Sequence, residues 1–135
     1  MSDSTQLRKP LSSIPTDLVS VADYARYAPS FIPHAIMEYV AGGGADEISL
    51  RRNRTALDAL HILPRALVDC TAGGTQTQVL GETLRHPLLL APVAFQTLVH
   101  PEGELATADA ASVLETGMVA STLSSYSLEQ IATRC

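Results

Sequence analysis

Cysteine is scarce: only Cys70 and Cys135 occur among 135 residues. They show no CxxC spacing and no accompanying histidine cluster, which argues against a disulfide framework or a zinc site. Cys70 is expected to be a small core residue. Long apolar runs are missing too. The longest, around Pro87 to Phe95, falls well short of a bilayer span, and the opening MSDSTQLRKPLSSIPTD lacks the apolar stretch of a signal peptide. A cytoplasmic protein without a membrane segment is expected. Positive charge is in deficit, with nine Lys and Arg against fourteen Asp and Glu for a net charge of −5. The basic residues are scattered, so no electrostatic footprint for nucleic acid exists.

What is present points to a core. Apolar residues make up 46% of the chain and charged residues 17%, a balance that sets aside disorder and fits one domain by length. Residues 1–18 are rich in Ser, Thr and Pro without periodicity and read as a flexible lead-in. Ser20 is a candidate N-cap for a helix over Val21 to Ala28, which Pro29 should end. Pro33 opens a second helix, HAIMEYVAG, with Ile36, Met37 and Val40 at helical spacing and Tyr39 beside them. Asp46 can cap a third, ISLRRNRTALDAL, whose Ile48, Ala56, Leu57 and Leu60 form one stripe.

From Ile62 the pattern turns extended: ILPRALVD is interrupted by proline, and TQTQVLGETL alternates around a Gly-Glu turn as a small hairpin would. LLLAPVA is apolar at nearly every position, as expected of a parallel strand buried on both faces. A helix from Pro101 to its stop at Gly117, the short run MVASTL and a helix start at SLEQIA follow, so the tail reads β-α-β-α. The expected organisation is a lead-in over 1–18, a helical extension and small hairpin over 19–86, and two β/α units over 87–135.

Several motifs invite chemistry. Gly42 to Gly44 could cradle an anion, but they follow a helix and no GK[ST] comes after them, so a helix stop and tight turn explains them better. His100, Glu102 and Glu104 gather after a strand, where barrel enzymes place acid and base groups; acids at a helix start need no more than the helix dipole. Pro92, Val93 and Ala94 end an apolar strand with small or branched side chains, leaving backbone groups open to a flat ligand. Ser121 and Thr122 sit at the equivalent level of the next strand, where a hydroxyl either donates to a cofactor edge or caps the following helix. The Tyr39 hydroxyl can meet a substrate carboxylate or simply reach water.

The strings EYVAGGGADEISLRRN, ILPRALVD, QVLGETLRHPLLLAPVAFQTLVHPEGELATADAA and MVASTLSSYSLEQIA, in this order, resemble the FMN-dependent α-hydroxy-acid oxidase and dehydrogenase family, which includes glycolate, lactate and hydroxymandelate oxidases and mandelate dehydrogenase. The resemblance covers residues 19 to 132. It implies an α/β fold, the N-terminal part of a (β/α)8 TIM barrel with a helical extension, a small bottom hairpin and the first two barrel strands, LLLAPVA and MVASTL. It implies FMN across the barrel mouth, with the backbone of Val93 and Ala94 against the flavin ring and the Ser121 hydroxyl at its N5/O4 edge. Tyr39 matches the tyrosine that binds the substrate carboxylate. Many members have Thr at the Val93 position, so a side-chain contribution is lost there. Leu123 stands where some carry a bulky aromatic, leaving substrate size open.

The implied reaction is oxidation of a small L-2-hydroxy acid to the 2-oxo acid, with FMN taking a hydride equivalent. The family's base histidine and carboxylate-binding arginine have no match in these 135 residues, and His100 corresponds to a different position. The chain is therefore expected to be a fragment that is inactive alone. The resemblance further implies a homo-oligomer when complete, or pairing with a complementary chain. The alternative is a catalytically inactive, truncated paralogue or subunit that pairs with another chain through its open strand edges.

Overall fold

The structure, a computed structural model, describes residues 7–9 and 11–135. It divides into two compact units, one up to Val68 and one from Asp69 to Cys135. Of the expected lead-in, residues 1–6 and 10 lie outside the described residues. Two points of the remainder are tethered to the first helix: the Arg8 N–H donates to Phe31 O at 3.0 Å, and the Tyr27 hydroxyl donates to Asp17 Oδ1 at 2.7 Å.

In the first unit, α1 (Val21–Phe31) starts at the expected N-cap, Ser20. The Asp23 carboxylate takes the Ser20 N–H at 2.8 Å and its hydroxyl at 2.9 Å, and these bonds hold Asp23 below the usual carboxylate range. The helix runs past Ala28 and contains Pro29, against expectation. A proline in the last turn forfeits a single N–H, and the Ile32 N–H closes the end on Ala28 O at 2.9 Å. Next, α2 (His34–Ala41) follows Pro33 as expected, and α3 is Ile48–Asp58. Asp46 does not cap α3. Glu47 holds the N-cap position with φ 55°, and its carboxylate turns back to accept the Gly43 N–H at 3.1 Å. The glycine run is thus a turn closed by its own glutamate. None of the three helices contains a buried residue.

The second unit opens on a turn in which Asp69 Oδ1 accepts the Thr71 N–H and hydroxyl at 2.9 and 2.7 Å. Cys70 lies in this turn and is exposed, not a core residue, because the turn sits at the surface. Strands β1 (Thr77–Val79) and β2 (Glu82–Leu84) pair antiparallel, with Gln78 opposite Thr83. Leu80 and Gly81 join them at φ 53° and 90°, the positive values that a two-residue hairpin turn requires. The hairpin packs within this unit: Arg85 pairs with Glu115 at 3.3 Å, and His86 Nε2 lies 3.2 Å from Leu114 O.

Strands β3 (Leu89–Leu90) and β4 (Gly117–Met118) pair parallel, Leu89 with Gly117 and Leu90 with Met118, joined through a 3₁₀ turn (Gln96–Leu98) and α4 (Gly103–Val113); α5 (Leu128–Ala132) follows. Both strands are shorter than LLLAPVA and MVASTL suggested. Pro92, which has no N–H, lies just beyond the β3 ladder. Gly117 is also not the stop of α4. That helix ends in a Schellman arrangement with Glu115 at φ 51°, its N–H on Ser112 O at 3.1 Å and the Thr116 N–H on Ala111 O at 3.0 Å. Gly117 instead leaves room for the Leu89 side chain of the neighbouring strand, since a Cβ there would fall 2.5 Å from Leu89 Cδ2.

The core consists of Ala108 and Ala111 of α4, Ile131 of α5 and, unusually, Glu104. Small alanines let α4 lie close on β4 and α5. Burial of the first strand on both faces is not met: Leu88, Leu89 and Leu90 are 65, 48 and 37% exposed, because within this unit helix α4 backs the two-stranded sheet and no layer covers its other side. No helix among the described residues is long and apolar enough to cross a membrane.

Candidate functional site

A parallel β-α-β unit presents the loops after its strands on one side, and here two such loops are bound together. The loop after β3 holds Val93, Ala94 and Phe95; the loop after β4 runs through Ser121 to Tyr126. The Phe95 N–H donates to Leu123 O at 3.0 Å, and Thr97 Oγ1 and Ser125 Oγ lie 2.8 Å apart. Phe95 sits at φ 50°, a conformation a bulky residue keeps only when its surroundings over-determine it. The Leu123 bond supplies part of that restraint.

Glu104 is the third tie. It occupies the first turn of α4, yet its Oε1 reaches out of the helix to accept the Gln96 N–H at 3.1 Å and the Ser125 N–H at 2.9 Å, one from each loop. The side chain has no accessible surface, and Oε2 is buried without a hydrogen-bond partner among the described residues. Burial pushes this carboxyl up, but the Ser125 N–H, its own N–H and the Gln96 N–H together outweigh that and hold it below its ordinary value. Gln96 is itself held to α4, its Oε1 accepting the Thr107 hydroxyl at 2.6 Å.

Beside the clasp lies a cavity of about 360 Å³ lined by Ala120, Ser121, Thr122, Ser124, Tyr126, Ser127 and Leu128. Of the sequence candidates, Ser121 and Thr122 line it. Ser121 does not cap the following helix. Ser127 does, its Oγ accepting the Gln130 N–H at 3.3 Å while Gln130 Oε1 accepts the Ser127 N–H at 2.9 Å. Ser121 Oγ accepts the Leu123 N–H at 3.1 Å, which leaves its own hydrogen to be donated. Val93, 55% exposed, and Ala94 stand on the loop after β3 and are not among the residues lining the cavity. Tyr39 belongs to the first unit, on α2, and is 58% exposed.

His100 makes a local contact: its Nδ1 takes the Glu102 N–H at 3.2 Å, part of the turn that leads into α4. Glu104 is the residue that sequence reasoning passed over. Its helix-start position was explanation enough for an acid, and only the fold shows that its carboxylate joins Gln96 to Ser125. The apolar and small neighbours Gly103, Ala108 and Ala111 were the available signal, since they mark a helix face too crowded for an ordinary solvated glutamate.

A parallel β-α-β unit with hydroxyl-bearing loops after its strands is an element common to α/β folds. Comparison makes the class specific. The family model for the FMN-dependent dehydrogenases matches residues 28–135. Curated relatives include an L-lactate oxidase of Nostoc sp., 45% identical over 114 residues, covering 84% of this chain and 31% of the relative. A 4-hydroxymandelate oxidase of Amycolatopsis orientalis is 46% identical, covering 84% of this chain and 32% of its own length. Among solved structures, a mandelate oxidase with (S)-4-hydroxymandelic acid superposes with a TM-score of 0.81 at 45% identity, covering 86% of this chain and 33% of that one. The chain belongs to the FMN-dependent dehydrogenase family, and its fold is the N-terminal part of that family's (β/α)8 barrel. It spans about a third of the length of the curated relatives it matches.

FMN is the cofactor of this family. The residues present are compatible with such a ring: Ser121 and Thr122, which line the cavity, carry hydroxyls able to donate to a flavin acceptor, and exposed Val93 offers an apolar surface on the neighbouring loop.

Proposed function

We propose that this chain supplies the substrate-carboxylate contact and one edge of the flavin site to an enzyme that oxidises an L-2-hydroxy acid to the 2-oxo acid. The observation that carries the reading is the Ser121 hydroxyl, turned from any helix-capping role and lining the strand-end cavity, in a segment 45% identical to a mandelate oxidase. FMN, when bound, would supply the two-electron oxidation chemistry needed at carbon 2 of the substrate. In this reading Ser121 donates to the N5/O4 edge, the backbone of Val93 and Ala94 lies against the ring, and the Tyr39 hydroxyl donates to the substrate carboxylate. The base that takes the hydroxyl proton, and the arginine facing the carboxylate, come from the rest of the barrel. The remaining strands, in the same polypeptide or a complementary chain, cover the exposed Leu88 to Leu90.

The test is to complete the barrel. Residues 28–135 are built onto the remaining barrel of the Amycolatopsis 4-hydroxymandelate oxidase, and FMN retention and oxidation of glycolate, L-lactate and (S)-mandelate are measured. Retained flavin with turnover of at least one acid is expected, and an apoprotein that folds but does not retain FMN would overturn the reading. In the same completed enzyme Tyr39→Phe removes one hydrogen bond to a charged group, about 1–2 kcal/mol, so KM should rise roughly 5- to 30-fold. Unchanged kinetics would remove Tyr39 from the site.

A further inference from the structure

We propose that residues 60–68, LHILPRALV, form an apolar strap that docks on the outer helical surface of the completed barrel, in a furrow between helices that the family's longer members carry beyond the matched region. The inference goes beyond the flavin reading and needs neither Ser121 nor Tyr39; it rests on the family alone. Three observations support it. First, Ile62, Leu63 and Leu67 are 95, 91 and 106% exposed, with Leu60 and Val68 exposed on either side of them. Single exposed leucines are ordinary on a protein surface, but large apolar residues concentrated in one short stretch make a patch, and such patches mark surfaces that another body covers. Second, the segment is held by nothing in its surroundings: it belongs to no helix or strand, and among the described residues no hydrogen bond or ion pair reaches residues 61–67. The last bond before it is the Leu60 N–H on Leu57 O at 3.1 Å. Third, Pro64 drives Leu63 to extended backbone, and consecutive residues of an extended chain send their side chains to opposite sides. Ile62 and Leu63 therefore need cover on two sides.

Cover on two sides means a furrow, and the barrel decides which. Its interior is filled by the side chains of its strands, so a segment outside any strand lies against the outer ring, where adjacent helices leave furrows between them. The family match over residues 28–135 takes the segment in, which makes it part of the family's domain rather than an appendage to it. This chain covers 31 and 32% of the lactate and hydroxymandelate oxidases, so most of the outer ring lies in the part it does not match. The one charged side chain of the strap agrees with this placing: Arg65 has a long apolar stem that can lie along the furrow while its guanidinium stays in water.

The experiment uses the completed enzyme described above, with every other cysteine replaced by serine, and places a single thiol in the strap by Ile62→Cys or by Leu63→Cys. The rate of labelling by a water-soluble thiol reagent is measured in the folded enzyme and in the same variant unfolded in urea, over a range of protein concentrations. Folding should slow labelling at both positions by at least about 10-fold, equally at high and low concentration. Slowing by less than about 10-fold at either position means that the strap stays in water, and overturns the proposal. Protection that disappears on dilution means that a second copy covers the strap, and overturns it too. If neither variant folds, hydroxyl-radical oxidation of Ile62 and Leu63 in the unsubstituted completed enzyme, against the same residues in urea, is read by the same threshold and the same dilution. Loss of flavin or of turnover in the completed enzyme bears on the proposed function and leaves these labelling rates to be judged on their own.

Discussion

At the scale of single residues, Glu104 shows how an ion can sit in a core of alanines. Two backbone amides from outside its helix supply the solvation that water would have given, so the anion is the stable form despite burial. Because its folded pKa lies below the unfolded value of about 4.5, the folded state binds fewer protons than the unfolded one in acid. Its stabilising contribution is therefore complete above the unfolded pKa and is lost as pH falls through the folded pKa. In the completed enzyme the melting temperature should fall more steeply from about pH 5 to pH 3 for the native residue than for Glu104→Gln, which has no proton to take up. Parallel curves would show that the carboxylate does not titrate with folding. Exposed Asp23 and Asp69 shift in the same direction but are common to both proteins and cancel in the comparison.

At the scale of elements, the bottom hairpin carries a correctable fault. Its two-residue turn needs positive φ at both positions, and Gly81 meets that at no cost, whereas Leu80 adopts φ 53° with its side chain fully exposed. A leucine in this region crowds its own carbonyl and gains nothing from packing. Asparagine tolerates the same backbone, so Leu80→Asn should stabilise the completed enzyme by about 0.5–1 kcal/mol in urea unfolding. A loss of stability would mean that the exposed leucine is covered by barrel residues beyond this chain. The reverse situation holds at Gly103, at φ 45°, where a Cβ would fall 2.9 Å from Thr97 Cγ2 and 3.0 Å from Thr97 N. Only glycine allows α4 to start this close to the loop that its next residue clasps.

At the scale of the whole molecule, the balance of core to surface is the governing quantity. Among the described residues the hydrophobic core is two alanines and one isoleucine, while Leu88, Val93, Leu123 and Leu128 are 65, 55, 53 and 64% exposed. Ordering each residue costs roughly 1–2 kcal/mol of backbone entropy, which so little burial does not offset. Residues 1–135 by themselves should therefore self-associate in sedimentation velocity, give weak near-UV circular dichroism and lose FMN on desalting. A monomer with sharp near-UV bands and retained flavin would instead make this segment a flavin-binding module in its own right.

Much of this was legible along the chain. The starts of α1 and α2, the hairpin, the β-α-β-α order and the Ser127 helix start follow from local rules of capping, alternation and proline placement, which act within a few residues. The family follows from the ordered strings between Glu38 and Ala132, and the match over residues 28–135 agrees with it. Where local rules misread, a neighbour distant in sequence or a tolerated local cost had decided otherwise. Gly117 serves the strand beside it rather than the helix before it, Pro29 stays inside α1 because one missing bond in a last turn is affordable, and Cys70 sits in a surface turn. Amino-acid order alone determined the class of fold and the cofactor family. Only tertiary structure decided that Glu104 joins two loops, because that depends on the Gln96 and Ser125 amides brought within hydrogen-bond reach of α4 by the packing of the unit.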